Sequence, residues 1–138
     1  MGTMRKILVG IDGSEGSEHA LNKALMLIEE YGELVLLAVI PSKDTHVFLD
    51  DSTHQSLEKT AKILLADIVT DIGEPDFRVT TLMKSGNAAE VIIDVANEMN
   101  VDLIVLGSKG KGAIGWQDLG SVANKVVQYA HKPVMIVR

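Results

Sequence analysis

A glycine-rich segment, Gly107 to Ser121 (GSKGKGAIGWQDLGS), holds the residues of this chain that are best suited to binding chemistry. It contains five of the 12 glycines and two lysines, and it lies between an apolar run and the last predicted helix. A helix N-terminus offers unpaired backbone N–H groups and about half a positive charge. Gly120 would let backbone approach a ligand closely, and the Ser121 hydroxyl can donate to a phosphate oxygen or cap the helix. We therefore interpret the segment as a phosphate-binding loop.

Other residues of the segment agree with this interpretation. Gly107 and Gly110 would let the chain fold into a nest of N–H groups, and Lys109 and Lys111 add positive charge. The alternative is a surface loop or lid that ends in a serine cap. Loops of this length are uncommon in compact domains and are usually functional or disordered. A position after a predicted strand favours function.

Two well-known glycine patterns do not account for the segment. Gly110 to Gly115 matches G-x-G-x-x-G, but the dinucleotide fingerprint also needs a strand directly before it and an acidic residue about 20 residues later. The chain ends at Arg138 before such a residue occurs. The Walker A pattern fails because Ala113 and Ile114 follow where Lys and Ser or Thr are required.

The elements that must position this loop alternate along the chain. The predicted strands are Lys6–Ile11, Leu34–Ile40, Phe77–Met83, Asp102–Leu106 and Pro133–Val137. Helical apolar patterns separate them, with predicted starts at Ser14, at the Ser52–Gln55 capping box, at Asn87 and at Gly120 or Ser121, and with predicted ends at Gly32 and Gly73. Strict alternation predicts an α/β domain with an open five-stranded parallel sheet, Rossmann-like, and helices on both faces. The third and fifth strands are predicted at the edges.

In such sheets, ligands bind beyond the carboxyl ends of the strands, near the point where the strand order reverses. The glycine-rich loop, Pro41–Asp51 and Asp12–Ser14 all follow strands and so lie on that side. Asp12 could hold a ribose or a metal, or it could simply form an Asx turn that caps the first helix. His46, Asp50, Asp51 and His54 could group as a metal site, but a solvated loop is the commoner outcome, and we predict no metal there.

Composition excludes several functions. The net charge of -6 argues against general affinity for nucleic acid or anionic membrane, and the absence of cysteine excludes disulfides and thiol catalysis. No apolar run approaches a membrane span. We expect a cytoplasmic protein, with residues 1–3 as a vector leader and 4–138 as one domain. No known catalytic motif is present, so hydrolysis is expected to be slow at most.

A third glycine pattern fits completely. Gly107, two residues, Gly110, nine residues and Gly120-Ser121 reproduce the G-x2-G-x9-G-S/T signature of the ATP-binding universal stress proteins, which the chain resembles. The likeness extends to Lys6–Ser14, Ala38-Val39 and Lys132–Val137, in the right order. The resemblance implies a domain of the adenine nucleotide alpha hydrolase type that binds ATP as a homodimer. Such a dimer would cover the edge of the last strand.

The resemblance also implies a set of binding residues. Asp12 and Val39 would face adenine and ribose, and Gly107, Gly110, Gly120, Ser121 and Val122 would line the phosphate path. The complete expected set is Ile11, Asp12, Gly13, Ser14, Val39, Leu106, Gly107, Ser108, Gly110, Lys111, Gly120, Ser121 and Val122. Trp116 and Asp118 are not part of the signature, and Asp118 would repel phosphates unless it turns away or Mg²⁺ intervenes. A single domain of this kind is expected to serve regulation or the stress response.

Two alternatives remain at this point. One is a Mg²⁺-dependent nucleotide hydrolase or phosphotransferase in which Asp12 or Asp118 holds the metal. The other is a dimeric interaction module that does not bind nucleotide, against which the complete glycine signature speaks.

Overall fold

The computed structural model describes residues 4–42, 50–108 and 120–138. Within these ranges strands and helices alternate as predicted. The strands are β1 (Met4–Gly10), β2 (Ile28–Ile40), β3 (Arg78–Ser85), β4 (Leu103–Gly107) and β5 (Val134–Val137). The helices are α1 (Glu15–Leu27), α2 (Asp51–Ile72), α3 (Ala88–Glu98) and α4 (Ser121–Tyr129).

The five strands form one parallel sheet in the order β3-β2-β1-β4-β5. The predicted parallel architecture is confirmed, and β3 and β5 lie at the edges as expected. The chain moves from β1 toward one edge and then returns to β4 on the other side of β1. The strand order therefore reverses between β1 and β4.

Helices cover both faces of the sheet, which confirms the predicted layers. α1 and α2 pack on one face around Ile7, Val9 and Val105. α3 and α4 pack on the other face around Leu8 and Ile104. Successive strand residues point to opposite faces, so a strand covered on both sides must be apolar at every position. This explains the continuous aliphatic runs of β1, β2 and β4.

Short polar side chains start three of the helices. Ser14 and Asn87 cap α1 and α3 as predicted, by accepting hydrogen bonds from the N–H groups of Ser17 and Glu90. The capping box predicted at Ser52 is wrong, because α2 starts earlier and Asp50 caps it. The Asp50 carboxylate accepts the Thr53 N–H at 2.7 Å, and this hydrogen bond lowers the pKa of Asp50. Aspartate, like serine, is among the residues preferred at a helix N-cap.

The predicted end of α1 at Gly32 is also wrong, since α1 ends at Leu27 and β2 begins at Ile28. Ile28 is buried and pairs with Met4, after which the next pair is Lys6 with Glu33. An advance of two residues along β1 therefore corresponds to an advance of five along β2, and the extra residues of β2 form a bulge. Gly32 makes the bulge possible, because a Cβ there would lie 2.5 Å from the Arg5 carbonyl oxygen.

A polar network holds together the amino ends of the strands. The Glu33 carboxylate accepts a hydrogen bond from the Thr80 hydroxyl at 2.6 Å and lies 3.3 Å from the Lys6 ammonium. These contacts, with the Thr80 hydrogen bond the largest, lower the pKa of Glu33. The Asp102 carboxylate accepts the Lys6 N–H at 2.9 Å, which joins β1 to the start of β4. Of the helices in the described part of the chain, none has the length and apolar character that a membrane crossing requires.

Candidate functional site

The candidate site lies where the carboxyl ends of β1 and β4 meet. The two strands are parallel neighbours, with Val9 opposite Val105, so the chain leaves both at the same edge. Helices α1 and α4 begin beyond this edge, so their N-termini lie at the same end of the strands, on opposite faces of the sheet. Because the strand order reverses here, the crossover connections diverge and leave a crevice between them.

The turn after β1 is ordered by its own side chains. The Ile11 N–H donates to the Leu37 carbonyl at 2.8 Å, which ties the turn to β2. Gly13 has φ 79°, a conformation that favours glycine. The Asp12 carboxylate accepts hydrogen bonds from the Ser14 N–H, at 2.9 Å, and from the Ser14 hydroxyl. The Asx turn considered from the sequence is therefore present, and Asp12 is exposed at its tip.

Ser14 acts in the turn and the helix cap. Its hydroxyl donates to Asp12 and accepts the Ser17 N–H at 3.1 Å. Both interactions hold the start of α1 against the Asp12 turn. The structure thus gives Ser14 a structural role, and its expected contact with a nucleotide stays a prediction.

The segment after β4 is closed at its base. The Ser108 N–H donates to the Val137 carbonyl of β5 at 2.8 Å, and the Ser108 carbonyl accepts the Gly120 N–H at 2.5 Å. Ser108 is buried. This residue therefore holds the start of α4 against the ends of β4 and β5. Five residues of this segment that were considered for binding lie outside the described residues: Lys109, Gly110, Lys111, Trp116 and Asp118.

The N-terminus of α4 differs from those of the other helices. Among the described residues no side chain caps it, and its N-cap is Gly120. The Gly120 N–H already bonds to Ser108, and the Asn124 N–H bonds to the Gly120 carbonyl. The N–H groups of Ser121, Val122 and Ala123 are left without intrahelical partners by helix geometry. Ser121 and Val122 are exposed, and Ala123 is buried.

The remaining expected residues divide by burial. Ile11 and Leu106 are core residues, each 5% exposed, in the α1 layer and the α3 layer respectively. Val39 is half-buried at the end of β2. Beside it lies a turn that the sequence reasoning did not assign to the site, in which the Gly86 N–H donates to the Ile40 carbonyl at 2.9 Å with φ 141° at Gly86. In the sequence, the glycine directly before the Asn87 helix cap could have indicated this turn.

The histidines of the described residues do not form a metal centre. Within those residues no three histidine or carboxylate side chains come together as a metal site. His54 is buried and its Nδ1 lies 3.1 Å from the Glu58 carboxylate, while Asp50 caps α2. His46 lies outside the described residues. His19 lies on the surface of α1, 3.8 Å from Glu15.

A surface cavity of about 530 Å³ lies at the opposite end of the sheet. It is lined in part by Arg5, Tyr31, Glu33, Phe77 and Arg78, between the β2 bulge and the start of β3. One of its carboxylates, Glu33, is already bound by Lys6 and Thr80. The Glu33 charge thus serves the polar network of the sheet.

These features define a class: a doubly wound α/β domain with a glycine-capped helix N-terminus at its topological switch point. The sequence model of the universal stress protein family matches residues 3–138. The chain therefore belongs to the universal stress protein family. Universal stress protein YxiE of Bacillus subtilis is 34% identical over 96% of this chain and 98% of its own length. A universal stress protein of Thermus aquaticus is 32% identical over 97% and 98%.

Solved structures share the fold. Hypothetical protein MJ0577 superposes with a TM-score of 0.85 at 30% identity, covering 96% of this chain and 94% of that one. Two universal stress protein structures are more distant and support the fold alone. One, at 20% identity, has a TM-score of 0.70 and covers 99% of both chains. The other, from Arabidopsis thaliana, has a TM-score of 0.69 at 19% identity and covers 96% of this chain and 90% of that one.

Proposed function

We propose that this protein binds ATP at the carboxyl ends of β1 and β4 and acts as a regulatory, stress-responsive binding protein. The observation that carries the proposal is the start of α4, where Gly120 replaces a capping side chain and leaves the amides of Ser121 to Ala123 without helical partners. Unpaired N–H groups and the positive end of the helix dipole suit a polyphosphate.

The residues at this edge of the sheet fit the phosphates and the ribose of ATP. Gly120 offers no Cβ to obstruct phosphate oxygens, and the exposed Ser121 hydroxyl is available as a further donor. Asp12 lies at the tip of the turn beyond β1, where its carboxylate could accept from ribose hydroxyls. The triphosphate would thus lie over α4, with the nucleoside toward β1 and β2.

Two solved structures that share this fold hold adenine nucleotides. The universal stress protein with TM-score 0.70 was solved in complex with cAMP, and the Arabidopsis protein was solved with AMP bound. Both ligands share the adenine ring and ribose of ATP. The preference for a triphosphate comes from the complete glycine signature of this chain.

We assign the nucleotide a regulatory role because the chain carries no recognised catalytic motif. A bound nucleotide would change the surface offered to partners beside the start of α4. Mg²⁺ would accompany the phosphates if Asp118 faces them. A homodimer through the outer edge of β5 and a cytoplasmic location complete the proposal.

Isothermal titration calorimetry with ATP, with and without Mg²⁺, tests the proposal directly. We expect saturable binding by the unchanged chain, with GTP as the competitor that measures base preference. A silent titration, together with no adenine nucleotide in mass spectra of the gently denatured protein, would overturn it. Steady multiple-turnover phosphate release that disappears in Asp12→Ala would instead establish the enzyme alternative.

A further inference from the structure

Gly107 is a glycine because of what lies against it. The glycines with positive φ in the described residues are Gly13, Gly73 and Gly86, so Gly107 has an ordinary backbone conformation. A Cβ on Gly107 would lie 2.5 Å from both the carbonyl carbon and the carbonyl oxygen of Gly16, in the first turn of α1. Real Cβ atoms essentially never come so close to backbone, so a side chain at Gly107 would push α1 away.

Gly16 continues a ridge of small residues on α1. Ala20 and Ala24 follow it at intervals of four and are both fully buried against the sheet. Residues four apart share one face of a helix, so position 16 points the same way. Glycine inside a helix is normally unfavourable, which calls for a local reason at this position. By the helical spacing a Cβ at position 16 would point to the sheet beside Gly107, which gives a reason for glycine at this position.

The two sides of this contact belong to the two halves of the proposed site. On one side, the first turn of α1 is joined through Ser14 to the Asp12 turn, which Ile11 ties to β2. On the other side, Gly107 leads directly into Ser108, whose carbonyl holds the N–H of Gly120 at the start of α4. Gly16 and Gly107 therefore form a close backbone contact between the nucleoside half and the phosphate half.

We propose that the Gly16–Gly107 contact is a spacer that sets the distance between the nucleoside half and the phosphate half of the site. This inference rests on the proposed function. Gly107 is then a positioning residue that acts through α1, and its contribution does not require contact with phosphate. Gly16, which lies outside the glycine signature, is its partner.

If the contact sets the distance between the two halves, its loss should weaken ATP binding more than adenosine binding. In Gly107→Ala, α1 and the Asp12 turn should shift relative to α4, so one ligand can no longer satisfy both halves. ATP spans both halves and should lose one or more charge-assisted hydrogen bonds, which weakens binding about tenfold or more. Adenosine uses only the half tied to β2, so its affinity should change less than about twofold.

Gly32→Ala is the matched control. Its Cβ would meet the Arg5 carbonyl oxygen at 2.5 Å, an equally severe backbone clash at the opposite end of the sheet. Gly16→Ala is the second variant, because alanine favours the helix and this protein should remain folded if Gly107→Ala does not. Titration calorimetry with ATP and with adenosine, alongside urea unfolding, gives the ratio of the two affinities and the stability of each variant.

We expect the ATP-to-adenosine affinity ratio to fall in Gly107→Ala and Gly16→Ala and to stay at the unchanged-chain value in Gly32→Ala. Equal ratios in Gly16→Ala and the unchanged chain overturn the spacer, whatever happens to stability. Failure of the unchanged chain to bind ATP is a different result, because it overturns the proposed function and removes the basis of the inference.

Discussion

At the scale of residues, glycines serve three different physical purposes in this chain. Gly13 provides a positive φ in the turn after β1. Gly107 and Gly32 permit backbone to approach backbone, as their blocked Cβ positions show. Gly120 has φ -55°, which any residue can adopt. We therefore attribute the role of this glycine to the space that a missing side chain leaves open. The glycine signature places Gly107 and Gly120 in one pattern, although the two residues have different physical roles.

Gly120→Val should abolish ATP binding and leave the fold intact. Valine can adopt the backbone of Gly120, but its side chain would occupy the space above the α4 amides that we assign to phosphate. Calorimetry with ATP measures the loss, and circular dichroism verifies the fold. Ala130→Val adds a branched side chain at the other end of α4, also on extended backbone, and should bind normally. Retained ATP affinity in Gly120→Val would contradict the proposed contact.

Glu33→Gln should destabilise the protein in a pH-dependent way. Because the folded-state pKa of Glu33 lies below its ordinary value of 4.5, its stabilisation is complete well above that pH and is lost as the pH falls through the lowered pKa. We expect a cost of about 1 kcal/mol at about pH 7 that shrinks toward about pH 3, measured by urea unfolding. The exposed Glu30→Gln should cost less than about 0.5 kcal/mol. A cost for Glu33→Gln that is equal at both pH values would refute the charge-based explanation.

At the scale of elements, capping side chains start helices α1, α2 and α3, while α4 begins on a bare glycine. A helix without a cap loses stability, and packing of Ala123 and Val126 into the core must offset that loss for α4. Side chains of the protein thus cap α1, α2 and α3. Helix α4, to which we assign ligand binding, has no side-chain cap among the described residues.

Asn87→Ala should lower the free energy of unfolding by about 1 kcal/mol, because the Asn87 side chain accepts the Glu90 N–H at 3.1 Å and caps α3. Asn97→Ala is the matched control on the exposed surface of the same helix and should be neutral or slightly stabilising, since alanine is the better helix former. Thermal and urea unfolding of both variants measure the difference. Equal stabilities would mean that packing alone starts α3.

At the scale of the whole molecule, β3 and β5 are the edge strands of the parallel sheet in the described part of the chain. The carbonyls of Pro133 and Val137 accept hydrogen bonds from the N–H groups of Ile104 in β4 and of Ser108 just after it. By the alternation of a strand, the backbone groups of Val134 and Ile136 then point to the open edge. Such an edge invites pairing with a second copy, which motivates the proposed homodimer.

Ile136→Pro should therefore separate a β5-mediated dimer into folded monomers, because it removes an outward N–H. Met135→Pro removes an N–H on the β4 side and should unfold the protein more severely. Light scattering after size-exclusion chromatography measures the mass, and circular dichroism reports the fold. A dimer that persists in Ile136→Pro would place the interface elsewhere, and a monomeric unchanged chain would remove the dimer from the proposal.

The sequence by itself determined the order of elements, the parallel sheet, both edge strands and the caps at Ser14 and Asn87. These follow from local rules: aliphatic runs, helical spacing and short polar side chains before a helix. Only the tertiary structure decided where α1 ends, because burial of Ile28 against Met4 overrode the stop signal at Gly32. It also decided what Gly107 is for. That purpose depends on Gly16, 91 positions away in the chain, and contacts between distant segments leave no local pattern.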